Sequence, residues 1–214
     1  MTQSHKPLSL AGEHRNAGFP GGRLFIVSAP SGTGKSTLCS AVRRQLGDLA
    51  YSVSYTTRPP RKGERQAVDY YFVSEAEFRR GIGEGRWAEW ARVHGNFYGT
   101  SARWIEETLN SGRDILLEID LQGARQMVKQ FPDAVTIFIM PPSMEELEKR
   151  LRHRASDNLR DIDLRLENAR QEIAQRSFCR HELINDEIGK AIRDLVDLIE
   201  SYRKASQSRH GKNG

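Results

Sequence analysis

The sequence predicts an α/β fold: a parallel sheet with helices on both faces, in one domain with room for a small insertion. Three observations lead there. Leu24 to Ala29 is a short apolar, β-branched run that ends in a glycine-rich loop and is followed by an amphipathic helical pattern. Further apolar runs at Asp114 to Ile119 and Val135 to Met140 alternate with helical patterns, as parallel strands joined by crossover helices do. A chain of 214 residues, 37% hydrophobic and 29% charged, suits one globular domain better than two.

From Lys35 to Leu46 the apolar residues Leu38, Val42 and Leu46 recur every four positions, which predicts a helix opening onto the loop. A strand is expected at Tyr51 to Tyr55, then a polar, turn-rich segment through Val68, then a strand at Asp69 to Val73. Ser74 and Glu77 make a capping box for a short helix. Trp87 to Val93 reads as extended, and Ser101 to Asn110 as helical with Gly112 just past its end. Beyond the strands at Asp114 and Val135, Pro141-Pro142 breaks the chain, and Ser143 with Glu146 opens a helix running toward Arg154. Ile162, Leu166, Ala169 and Ile173 mark another helix, His181 to Ile184 a short final strand, and Ile188, Ile192, Leu195 and Ile199 the last helix. Residues 1–21 are polar, lack the apolar core of a secretory signal, and are expected to form a disordered tail; 206–214 is expected to be a polar tail.

Composition excludes some classes. No apolar run approaches the roughly 20 residues of a spanning helix. Cys39 and Cys179 lie far apart without metal-ligand spacing, so neither a disulfide framework nor a zinc site is indicated, and a reducing cytoplasm is the expected setting. The net charge of +5 suits phosphorylated partners, either nucleic acid or small molecules. The arginines sit in ordered-looking motifs beside glycine, tyrosine and carboxylates, not in one basic stripe, which disfavours a nucleic-acid module. Assembly of identical copies is left open, and His94 has no assigned role.

Ala29-Pro30-Ser31-Gly32-Thr33-Gly34-Lys35-Ser36 matches a phosphate loop, with Ala29 where the first glycine usually stands. Glycines let successive backbone N–H groups turn inward around phosphate oxygens, and the following helix adds its positive end. Lys35 supplies a mobile charge for the β- and γ-phosphates and Ser36 a hydroxyl ligand for Mg²⁺, so ATP with Mg²⁺ is the expected donor and the fold class becomes that of P-loop nucleotide-binding proteins. The bland alternative, a tight turn and nothing more, does not account for the lysine in this strand-to-helix setting.

The acceptor is written elsewhere. Ser54-Tyr55-Thr56-Thr57-Arg58-Pro59-Pro60-Arg61 offers two guanidinium forks to a monophosphate, and Tyr70 of Asp69-Tyr70-Tyr71-Phe72-Val73 adds a hydroxyl. Glu89 sits between Trp87 and Trp90, and Gly95-Asn96-Phe97-Tyr98-Gly99-Thr100-Ser101 contributes a further tyrosine and hydroxyls. A carboxylate accepts from guanine's adjacent N1–H and exocyclic amine, whereas adenine presents a bare acceptor at N1.

In this order, phosphate loop, Thr-Thr-Arg-Pro-Pro-Arg, Asp-Tyr-Tyr-Phe-Val, Tyr-Gly-Thr-Ser, Ile-Asp-Leu-Gln-Gly and Ile-Asn-Asp, the chain resembles the guanylate kinase family from about Gly22 to Lys204. The resemblance implies a domain over 22–205 with a GMP-binding subdomain at about 54–105 and a helical lid at about 148–168. It implies that Arg58, Arg61, Tyr70 and Tyr98 hold the GMP phosphate, that Ser54, Glu89 and Thr100 surround the guanine, and that Asn185 contacts adenine. Arg150, Arg154 and Arg165 resemble the family's lid arginines and, with Lys35, Arg58 and Asp120, are expected to carry catalysis. Asp120 follows a strand and is placed to organise Mg²⁺ or its water shell; Glu118 stands where the family often has aspartate. Other departures are Ala67 in place of a common glycine, Arg154-Ala155-Ser156 in the lid, and Arg180-His181-Glu182 before the final strand. GMP, with dGMP, is the implied acceptor. A guanylate-kinase-like binding module without catalysis is the competing class, and the intact Lys35, Ser36 and Arg58 argue against it.

Overall fold

The five residues Leu24–Ser28 form strand β1, and all five are buried, as a strand covered on both faces requires. The computed structural model describes residues 21–93, 95–153 and 159–210. In it β1 is the middle of a five-stranded sheet with β2 (Ala50–Tyr51), β7 (Ile115–Glu118), β8 (Val135–Met140) and β9 (His181–Ile184). The order is β2-β7-β1-β8-β9 and every pairing is parallel.

Helices α1 (Lys35–Gln45) and α7 (Ile188–His210) cover one face, where Leu38, Val42, Leu195 and Ile199 pack over Phe25 and Val27. The other face is covered by α3 (Ala102–Asn110) and α4 (Leu121–Gln130), with Ile105, Leu109 and Met127 against Ile26 and Leu117. The expected two-sided sheet is therefore present. The last helix continues to His210, past position 206 where the polar tail was expected to begin. Among the described residues no helix is long and apolar enough to cross a membrane.

A second sheet stands apart from the first, in the order β4 (Tyr71–Phe72), β3 (Tyr55–Thr56), β6 (Asn96–Ser101), β5 (Trp87–Val93). Its β3 and β4 run parallel and its other pairs antiparallel. Helix α2 (Glu75–Gly83) closes it: Ser74 caps through Glu77 N at 3.1 Å, and Phe78 stacks on Trp87 and Phe97.

Three expectations are corrected here. Tyr51 to Tyr55 is not one strand, because Tyr51 pairs with β7 in the first sheet and Tyr55 with β6 in the second. The strand expected over Asp69 to Val73 shrinks to two residues, since Asp69 and Tyr70 close a turn: Asp69 accepts from Arg65 N and Tyr70 O from Ala67 N. Ala67 holds that turn with φ of 61°, a left-handed conformation uncommon without glycine. Finally β6 and α4 had no expected element.

Helices α5 (Met144–His153) and α6 (Leu159–Ala174) pack on each other through Leu147, Leu151, Ile162, Leu166 and Ala169. Ser143 caps α5 through Glu146 N at 3.1 Å, as its capping box predicted. Around β9 the unusual Arg180-His181-Glu182 is absorbed structurally: Arg180 N donates to Thr136, the His181 ring meets Tyr202 OH at 2.8 Å, and Glu182 pairs with Arg176.

Candidate active site

The loop lies at the C-terminal end of β1, where a parallel sheet with crossover helices leaves a crevice. Gly32 and Gly34 have φ of 90° and 87°, so the turn needs glycine at both. A side chain at Gly32 would strike Leu151, and one at Gly34 would strike the Asn185 amide. Thr33 is buried and its side chain turns inward: the hydroxyl donates to Pro30 O at 2.9 Å and so shapes the loop. Gly34 caps α1 without a side chain, and the first turn of α1 carries no acid. An anion therefore meets backbone N–H groups and the positive helix end.

Of the two acids around Ile119, the one at the loop is Glu118. Ser36 Oγ donates to Glu118 Oε1 at 2.5 Å, and Lys35 Nζ lies 3.5 Å from the same oxygen while donating to Ile119 O at 3.2 Å. Strand register explains this, because Glu118 pairs with Val27 at the edge of the loop. Asp120, expected to organise Mg²⁺ or its water shell, caps α4, its Oδ1 accepting from Gly123 N at 2.7 Å. Tyr51 OH donates to Glu118 Oε2 at 3.4 Å under the stacked Arg43 guanidinium, a support that sequence spacing did not suggest. Cys39 is buried nearby, and burial, with Glu118 adding to it, pushes its thiol up to about 12; it stays a packing residue.

On the second sheet Arg58 lies over the Tyr70 ring, and Tyr70 meets Tyr98 edge to face at 6.0 Å. Glu64, which was not singled out from sequence, accepts from Arg58 Nη2 at 2.8 Å and from Arg61 N at 2.7 Å. That hydrogen bond is the main reason the Arg58 guanidinium is held more firmly protonated than usual. The Arg61 side chain is exposed. Arg58, Tyr70 and Tyr98 are thus brought together, with Arg61 at the rim.

Glu89 is only 4% exposed. It faces Thr100 across the β5–β6 pair, and Thr100 Oγ1 donates to Glu89 Oε1 at 2.6 Å. Burial raises its carboxyl to about 7, and the charge of Asp120 adds to the shift. Ser54, half-buried at the start of β3, uses its carbonyl to accept from Tyr71 N.

The Asn185 side chain is buried, with Nδ2 donating to Thr33 O at 2.7 Å, so it braces the loop. Arg150 donates to Asn185 O at 3.1 Å, and with Glu146, Lys149 and His153 it borders an open cavity of about 480 Å³ beside Gly32 and Gly34. Arg165 is half-buried on α6; Arg154 and His94 lie outside the described residues. Glu172, seven positions from Arg165 on the same helix, was missed: burial raises it to about 7, with Asp120 contributing, which places it in the same electrostatic field. Its two-turn spacing from Arg165 was the available signal.

Known proteins resemble this chain over most of its length. The family model for guanylate kinase matches residues 21–202. The guanylate kinase of Nitrosospira multiformis is 49% identical over 182 residues, covering 85% of this chain and 87% of that protein. That of Dechloromonas aromatica is 49% identical over 180 residues, covering 84% and 89%. A crystal structure of guanylate kinase from Anaplasma phagocytophilum superposes with a TM-score of 0.71 at 35% identity, covering 85% of this chain and 86% of that one.

Proposed function

From the premise that the chain belongs to the guanylate kinase family and is an ATP:GMP phosphotransferase, we propose how its own residues carry the transfer. The γ-phosphoryl group passes directly, in line, to the GMP phosphate, with dGMP as a second acceptor. The acceptor is already an anionic oxygen, so catalysis is positioning plus charge neutralisation and needs no strong general base. Backbone N–H groups of the loop and Lys35 hold the donor phosphates, and Asn185 keeps the loop in shape. Arg58, Arg61, Tyr70 and Tyr98 hold the acceptor phosphate, while Arg150 and Arg165, with Arg154 by family resemblance, neutralise the group in transit.

Guanine is read by Glu89, supported by Thr100 and Ser54. The observation that carries this reading is a nearly inaccessible carboxylate whose hydrogen bond from Thr100 engages Oε1 and leaves Oε2 for a ligand. Only the ionised form accepts from both guanine donors. With the free-enzyme carboxyl at about 7, kcat/KM for GMP should climb from about pH 5.5 to about pH 8. A Glu89→Ala variant should lose that limb and keep only the dependence due to the phosphate itself; an unaltered profile in the variant contradicts the assignment. Stability runs the other way. The folded carboxyl is raised above its unfolded value, so its contribution is complete below the unfolded pKa and is lost as pH rises through about 7.

Ser36 and Glu118 present hard oxygen donors side by side, a set that fits Mg²⁺. Among the described residues no group of three His, Cys, Asp or Glu side chains forms a metal cage, so phosphate oxygens and water would complete the shell. When bound, the ion supplies charge neutralisation on the phosphate oxygens. Glu118→Gln should raise the Mg²⁺ concentration for half-maximal rate, and weaken Mn²⁺ binding measured by paramagnetic resonance, by about tenfold. Asp120→Asn retains a good capping residue and should leave both within about twofold. The opposite ranking returns the metal role to Asp120.

A further inference from the structure

Helix α4 meets the acceptor sheet along one face. Gly123, Gln126 and Gln130 are three and four positions apart and share it. Gln126 accepts from Trp90 N at 3.2 Å and donates to Trp90 O at 2.7 Å, and Gln130 donates to Ala88 O at 2.6 Å. Strand β5 is an edge strand, and these two amides satisfy its open backbone on either side of Glu89.

Gly123 lies beneath the side chain between them. A Cβ placed there would stand 2.4 Å from Glu89 Oε2 and 3.1 Å from its Cδ, the first of which no real Cβ tolerates. The backbone does not ask for glycine at this position, since Gly123 is not among the residues with positive φ. As the third residue of a helix it forgoes about 1 kcal/mol that alanine would supply. What the missing side chain provides is room for the carboxylate.

We propose that Gly123 is a positioning residue that determines base specificity: its bare Cα lets the Glu89 carboxylate sit where guanine's two donors reach it, while Gln126 and Gln130 fix the strand that carries Glu89. The inference rests on Glu89 as the guanine acceptor. In Gly123→Ala the flexible end of Glu89 gives way and the helix gains an alanine. Acceptor recognition suffers while the fold does not. A misplacement on the order of 1 Å costs about 10²-fold, so kcat/KM for GMP should fall by about that factor, mostly through KM. KM for ATP and the thermal midpoint should hold or, for the latter, rise.

A double-mutant cycle over Gly123→Ala and Glu89→Ala tests this, with GMP kinetics, ATP kinetics and thermal unfolding measured on all four proteins. Once Glu89 is truncated the new methyl has space, so adding Gly123→Ala should cost less than about threefold further. Fully additive losses, or an unaffected Gly123→Ala, overturn the inference and leave Glu89 as the guanine reader. If Glu89→Ala itself leaves GMP kinetics unchanged, the guanine assignment fails and the inference with it. Should Gly123→Ala not fold, Gln126→Met serves instead: a raised KM for GMP at constant KM for ATP supports the positioning face, and an unchanged one overturns it.

Discussion

Replacing Lys35 with alanine is expected to lower kcat by about 10³-fold, in the range seen when one donor to a transition-state charge is removed. The loss should fall on turnover more than on ATP binding, because the loop's backbone N–H groups still cradle the phosphates. Folding should be spared. Among the described residues the Lys35 ammonium is held by Glu118 and the Ile119 carbonyl, and Glu118 keeps its hydrogen bond from Ser36 when the lysine is gone. Circular dichroism and a thermal midpoint near that of the unmutated protein, beside a coupled assay, separate the two effects. Turnover within about tenfold of the parent would show that Lys35 is not the charge that follows the transferring group.

The second large effect is expected at Glu89. Truncation to alanine removes both acceptors for the guanine edge and should lower kcat/KM for GMP by about 10³-fold or more, as sites built to pair polar donors discriminate on this scale. Activity with AMP, which never offered those donors, should change far less. The variant should be no less stable near neutral pH, since removing a carboxyl whose burial opposes ionisation offsets the loss of its hydrogen bond from Thr100. Steady-state kinetics with both nucleotides decide it, and equal losses for GMP and AMP would mean that Glu89 supports the sheet and does not read the base.

Much of this could be read from the sequence where the determinants are local. The phosphate loop, β1 and α1 are adjacent in the chain, and the capping residues Ser74 and Ser143 act within one turn, so spacing alone placed them. Features set by tertiary pairing were not legible. Tyr51 and Tyr55 look like one strand until the two sheets claim opposite ends of the segment. Strand β6 contains Gly99 and α4 contains Gly123, which weaken the strand and helix signals, and in each case the glycine is there to admit a neighbour: Phe78 at the first, Glu89 at the second. The choice between Glu118 and Asp120 depended on register against β1, and the roles of Glu64 and Gln126 on residues brought from elsewhere in the fold. Thr33, part of the loop motif, turned out to serve the loop's own backbone.

Underlying all of these expectations is an acceptor pocket that reads guanine through a buried carboxylate beside a triphosphate cradle. The most direct measurement is a comparison of acceptors with the unmutated protein, ATP and Mg²⁺, following ADP and the diphosphate product together for GMP, dGMP, IMP, AMP, CMP and UMP. GMP should give one GDP per ADP, IMP, which lacks the exocyclic amine, should be weaker, and AMP should fall by about 10⁴-fold in kcat/KM. Equal use of AMP and GMP, or ADP released without GDP, would contradict the account.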